Sequence, residues 1–166
     1  MAVRKVLSIP DSVLSEPAAP VSLVDDHARA LAEDLFETMR VSPACVGLAA
    51  PQIGVGLQAL VVDVTGHRKA RSCHGPFALF DPVVVTADDP RTEREGCMSV
   101  PDLTGDVERS WRLAVSGLNL QGEKILMEFD AFEARAVAHE IDHLLGLVFL
   151  DRVIGPHAVF PRRVYR

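Results

Sequence analysis

Between positions 25 and 40 the apolar side chains Ala28, Leu31, Leu35 and Met39 fall at intervals of three, four and four. That spacing lines one face of a helix, and Asp25 and Asp26 at its start suit a cap and a first turn. Residues 57–64 and 78–86 are apolar and β-branched, which predicts two strands. The stretch between them, 65–76, carries Gly66, Gly75 and most of the local positive charge and reads as a loop. Residues 112–120, the turn Gln121-Gly122-Glu123 and residues 124–129 predict a β-hairpin. A last helix is expected over 132–146, with Asp130 near its cap and Gly146 as its stop. Val137, Ile141, Leu144 and Val148 give that helix an apolar stripe to bury. The first 20 residues, with Pro10, Pro17 and Pro20, are expected to wrap the surface. Strands clustered between helices predict an α+β fold. Its antiparallel or mixed sheets would pack around the C-terminal helix, beside an N-terminal amphipathic helix. No repeat, low-complexity tract or Gly/Ser linker divides the chain, so residues 1–166 are expected to form a single domain.

Composition narrows the class. The 17 Lys and Arg against 23 Asp and Glu leave a net charge of -6, which argues against a DNA-binding role. The three cysteines, Cys45, Cys73 and Cys97, are too few and odd in number for a disulfide framework. Residues 41–62 carry no charge, but Pro43, Pro51, Gln52, Gly47, Gly54 and Gly56 make them loop and strand instead of a membrane span. The start of the chain lacks the apolar stretch of a signal peptide. A cytoplasmic protein, free of membrane, is the expectation.

The candidate chemistry begins on the last helix, where residues 139–143 read His-Glu-Ile-Asp-His. Histidines four apart share a helical face and can reach one metal, and Glu140 beside them can act on its water. Two histidines do not complete such a site. Asp151 and His157 lie downstream at no familiar ligand spacing. Cys97, in the segment Glu95-Gly96-Cys97-Met98-Ser99, and the pair Cys73 and His74 are the upstream candidates. A third segment, 45–54, combines small residues with the amide of Gln52.

Three segments in this order, VGLAAPQ at 46–52, EGCMS at 95–99 and HEIDH at 139–143, resemble those of the peptide deformylases. The likeness extends to 7–11 and 147–152 and covers roughly residues 3 to 153. It implies Cys97, His139 and His143 as metal ligands with a water in the fourth place, and Glu140 as general base and then acid. It also implies Gln52 and the backbone N–H of Met98 as oxyanion donors. Cys45, Val46, Gly47, Glu95 and Gly96 would bind an N-formylated peptide as an added strand. The family metal is typically Fe(II), with Zn, Ni or Co as alternatives. The resemblance implies removal of formate from formyl-methionyl chains, in a monomer or weak dimer. The alternatives are a paralogue specialised for binding and a zincin-type endopeptidase.

The chain departs from the family pattern at several positions. Cys45 stands where glycine is usual, Ala138 where glutamine is usual, and Asp81 where asparagine is common. Met98 replaces the usual leucine, and Thr104 stands where an arginine near the substrate is expected. Around the ligands, Asp142 could orient Arg109 or Arg135, and Glu95 could pair with Arg109. The C-terminal arginines Arg162, Arg163 and Arg166 read either as a solvated basic tail or as a contact to ribosomal RNA.

Overall fold

The amphipathic segment forms helix α1, Asp26–Val41, and Asp25 caps it by accepting a hydrogen bond from the Ala28 N–H at 2.9 Å. Its buried apolar side chains are Ala28, Ala32, Leu35 and Met39. Leu31 is only partly buried, so the buried stripe is turned slightly from the one expected. This is a computed structural model, and it describes residues 2–163.

The strands are β1 (Gly47–Ala49), β2 (Ala59–Val62), β3 (Phe77–Cys97), β4 (Val100–Leu118), β5 (Lys124–Asp130) and β6 (Val159–Pro161). They make one antiparallel sheet in the order β1-β2-β3-β4-β5, with β6 added to β4. Among the described residues every strand pairing is antiparallel, and the one parallel contact is an isolated bridge between Ala19 and Leu57.

The expected strand at 78–86 continues for another eleven residues. Its continuation is polar on both faces and lacks the period-two alternation that marks a half-buried strand. Pairing with β4 holds it, aided by cross-strand contacts such as Arg94 opposite Asp106, 2.6 Å apart. The consequence is a long hairpin whose tip, Met98-Ser99, follows Cys97 directly.

Helix α2, Ala131–Leu144, packs on the sheet through Ala134, Val137, Ile141 and Leu144, all buried with Leu60, Val62, Leu79 and Val115. Asp130 sits at the expected cap position, yet its side chain makes no cap bond. Its backbone N–H donates instead to Ser72 Oγ at 2.8 Å, which ties loop 65–76 to the helix start. Val148 lies beyond the helix and is only partly buried. Gly146 ends the helix with φ +76°, and a Cβ there would lie 2.8 Å from the Glu16 backbone. Left-handed backbone and close approach both require glycine at that position.

The N-terminal segment does wrap the surface, and it braces the loops that matter. Leu7 N–H donates to the Gln52 carbonyl at 2.8 Å, Ile9 N–H to Ser99 at 3.0 Å, and Ala18 N–H to Leu144 at 2.9 Å. Among the described residues no helix is long and apolar enough to cross a membrane.

Candidate metal centre and active site

Cys97, at the last position of β3, and His139 and His143, one turn apart on α2, bring three donor atoms within 4.8 Å of one another. Cys97 Sγ lies 3.2 Å from His143 Nε2, and the two imidazole centroids are 5.0 Å apart. The surroundings suit a cation. Burial alone would push the His139 imidazole down, but the Cys97 sulfur and the Glu95 carboxylate beside it raise it well above the usual range. Burial pushes His143 well below that range, and the neighbouring His139 adds to the effect, so its ring stays neutral as a ligand must. A thiolate and two imidazoles around one point fit a divalent ion of intermediate softness. Cys73 and His74 do not join them. Cys73 is exposed beside Thr65, and His74 Nδ1 lies 3.0 Å from the buried carboxylate of Glu133.

A chain of buried charges supports the ligands. Arg109 donates from Nε to Glu95 at 2.6 Å and from Nη1 to Asp142 at 2.8 Å, and Arg152 donates to the other Asp142 oxygen at 2.9 Å. Glu95 Oε2 lies 3.6 Å from His139 Nδ1. Burial raises the Glu95 carboxyl, but His139 and Arg109 outweigh it and hold the group at about 2. The resemblance implies Glu95 as a peptide-binding residue, but although it borders the cleft its carboxylate is turned to Arg109, the pairing expected from the sequence, and to His139. A strand alternates its faces, so Glu95 and Cys97 share the inward side while Gly96 looks outward. Of the two arginines proposed for Asp142, Arg109 takes the role. Arg135 donates to the carbonyls of Arg91, Glu93 and Val107.

Glu140 follows His139 on α2, is 4% exposed, and keeps Oε2 buried with no hydrogen-bond partner among the described residues. Burial pushes its carboxyl up to about 7. The β1 backbone lies directly against it, since a Cβ on Gly47 would sit 2.7 Å from Glu140 Oε1. Glycine at position 47 makes that approach possible. Gln52 sits in a short 3-10 turn, Ala50–Ile53, and its amide is oriented at both ends. Oε1 accepts from the Ala49 N–H at 3.0 Å, while Nε2 donates to Ser99 Oγ at 3.1 Å and faces Cys97 Sγ at 3.6 Å.

These groups border a cleft of about 320 Å³. One wall runs through Cys45, Val46 and Gly47, the other through Glu95, Gly96 and Met98, with α2 as the floor. The walls offer backbone edges. Asp63 N–H bonds the Val46 carbonyl, so by antiparallel alternation Gly47 turns its own N–H and C=O away from β2, towards the free edge of β1. Cys45 Sγ lies 3.0 Å from that Gly47 carbonyl and donates to it. Burial, with Glu140 nearby, pushes the Cys45 thiol up to about 12, so it remains a donor. Thus Cys45 faces the cleft's backbone edge while its body packs against the α1 core.

Sequence reasoning missed Phe132 and Ala136, which line the cleft from α2. They precede His139 by seven and three residues, so helical spacing from the histidines could have found them. It also missed Arg152, for which the sequence carries no periodic signal. Arg162 leaves the solvated tail expected of it and borders the cleft. Arg163 is exposed, and Arg166 lies outside the described residues.

Known proteins are similar to this chain in sequence and fold. The sequence profile of the polypeptide deformylase family matches residues 3–158. A peptide deformylase from Neisseria meningitidis is 41% identical over 153 residues, covering 92% of this chain and 88% of that one. The crystal structure of peptide deformylase from Ehrlichia chaffeensis superposes with a TM-score of 0.87 at 32% identity, covering 94% of this chain and 90% of that one. A Met-Ala-Ser-bound class I type b peptide deformylase from Acinetobacter baumannii does so with a TM-score of 0.83 at 31% identity, over 92% and 100%. Sequence and fold agree along nearly the whole length, and the chain belongs to the polypeptide deformylase family.

Proposed function

We propose that Cys97, His139 and His143 hold one Fe(II) ion, and that the cleft beside them takes a formyl-methionyl peptide as an extended strand. The family reaction, hydrolytic removal of the formyl group from new peptides, supplies the frame. The observation that carries the assignment is the convergence of the three donors within 4.8 Å, with Glu140 beside them in the cleft. A divalent ion bound there contributes Lewis acidity towards the formyl carbonyl and lowers the pKa of water. Zn, Ni or Co could replace Fe(II) in the same ligand set.

The chain's own residues do the rest. Glu140 takes a proton from the attacking water and passes it to the departing amine. A carboxyl held near neutrality can do both. The Gln52 amide N–H and the Met98 backbone N–H face the oxygen that gains negative charge. Gly47 and Gly96 leave the backbone edges open for main-chain pairing, as in strand addition. The Met-Ala-Ser tripeptide held by the A. baumannii protein has the form of the product this reaction releases. All of this lies within one domain spanning 1–166, working in a bacterial-type cytoplasm as a monomer or weak dimer. The ribosome surface enters as the place where the substrate emerges.

Mass spectrometry of the products from a formyl-methionyl tripeptide tests the reading. Loss of the formyl group alone supports it, and cleavage of an internal peptide bond would favour the endopeptidase. Binding without turnover would favour the specialised paralogue.

Two substitutions examine the cleft. Gln52→Ala removes a donor whose direction is fixed at Ala49 and Ser99, and should lower kcat by about 10²–10³-fold at unchanged metal content. A smaller loss would take Gln52 out of the oxyanion site. Cys45→Gly frees the Gly47 carbonyl and removes a side chain from the pocket wall. It should raise kcat/KM for formyl-methionyl peptides roughly tenfold, the scale of one methylene of lost fit. Equal values at matched metal loading would make Cys45 a packing residue only.

A further inference from the structure

We infer that Arg162, carried in by the C-terminal strand, is a substrate-positioning residue that holds a main-chain oxygen of the peptide beyond its formylated residue. The inference rests on the deformylase reading and adds a part of the cleft that reading does not specify.

The placement of Arg162 comes from backbone structure. β6 pairs with β4 through Leu103↔Pro161, Thr104↔Phe160 and Gly105↔Val159, and the Arg162 N–H then donates to the Asp102 carbonyl at 2.8 Å. These bonds deliver the side chain to the tip of the β3–β4 hairpin. There Nη2 donates to the Cys97 carbonyl at 2.9 Å, and a Cβ on Gly96 would lie 2.6 Å from the same nitrogen. The guanidinium therefore lies directly over Gly96 on the cleft wall. The short side chain of Thr104, whose Cγ2 lies 3.4 Å from that Cβ position, leaves room for it.

Its donors are largely unused. Nε is buried without a partner, and no carboxylate among the described residues lies within 4.0 Å of the group. The other cations on the cleft are engaged. Arg94 pairs with Asp106 and stacks on Phe160, and Arg135 bonds three backbone carbonyls. A guanidinium with spare N–H groups beside an open strand edge calls for an oxygen acceptor, and an extended peptide lying along Gly96 presents them at regular intervals. The acceptor is a backbone carbonyl or, in a short substrate, the terminal carboxylate.

The test uses the metal-loaded full chain with Arg162→Ala and Arg162→Lys. Three substrates separate the cases: formyl-methionine amide, a formyl-methionyl tripeptide acid, and the same tripeptide as its amide. For Arg162→Ala, KM for the tripeptides should rise about ten- to a hundredfold, the scale of a charge-assisted hydrogen bond. Its kcat, its metal content and all values for formyl-methionine amide should hold within about twofold. Arg162→Lys should recover part of the loss. A rise with both tripeptides identifies a backbone carbonyl, and a rise with the acid alone identifies the carboxylate. An equal effect on formyl-methionine amide, or a loss of metal, overturns the inference and makes Arg162 a brace for the Cys97 turn. Calorimetric binding of an unformylated Met-x-x tripeptide to both proteins reports on Arg162 without turnover. If the wild type released no formate, the reaction would be misread, and this binding comparison would still decide the role of Arg162: weaker binding by Arg162→Ala supports it, equal binding overturns it.

Discussion

Replacing Glu140 by glutamine should leave one metal per chain and lower kcat by about 10²–10⁴-fold, with little change in KM. The two side chains have nearly the same shape, so the close approach of Gly47 to position 140 is kept. What disappears is the capacity to take up and return a proton. The folded state should tolerate the change, because burial already raises the Glu140 carboxyl to about 7 and favours a neutral group there. Glu140 is not among the three converging donors, so metal content is a clean control. Near-normal turnover in the metal-replete variant would remove Glu140 from the proposed mechanism.

Arg109→Met should cost about 3–5 kcal/mol of stability, because it strips the shared cation from two buried carboxylates. The side chain of Arg109 is 5% exposed, that of Glu95 10% and that of Asp142 6%. Asp142 keeps Arg152, but Glu95 is left with Arg135 at 3.8 Å and His139 at 3.6 Å. For a chain of this size the loss corresponds to a fall in Tm of about 10 °C or more. Metal affinity should drop about 10–100-fold as well, since Glu95 faces the outer nitrogen of His139. Arg40→Ala is the control, because Arg40 and Glu37 form an exposed helical pair of the kind that contributes little. Chemical denaturation checks both variants. A loss below about 1 kcal/mol for Arg109→Met would show that the buried chain of charges is not what holds the ligands.

The parts of this site that were legible in the sequence are those written by short-range geometry. Two histidines four apart on a helix must share a face, whatever surrounds them. The cap at Asp25, the stop at Gly146 and the turn at Gly122 follow in the same way from local backbone chemistry. Cys97 and Gln52 stand out as candidates in the sequence, but only the resemblance gives them roles, because the long hairpin and the 3-10 turn that bring them to α2 leave no periodic trace. Residues 87–97 give no strand signal because their pairing is made by backbone bonds and charged neighbours. The pairing of Glu95 with Arg109 agrees with the sequence reading, whereas the inward direction of its carboxylate depends on the alternation of a strand that this stretch does not announce. Arg162 lies furthest from the sequence's reach, since its position depends on three residues of β6 finding the edge of β4.

The most direct test of the account is a metal titration of the chelator-stripped chain under anaerobic conditions, with formate release from a formyl-methionyl tripeptide as the readout. The expected result is no turnover without metal, a linear rise on adding Fe(II), and a plateau at one equivalent per chain that Cys97→Ala abolishes. Full activity in the stripped chain, or an undiminished plateau in Cys97→Ala, would contradict it.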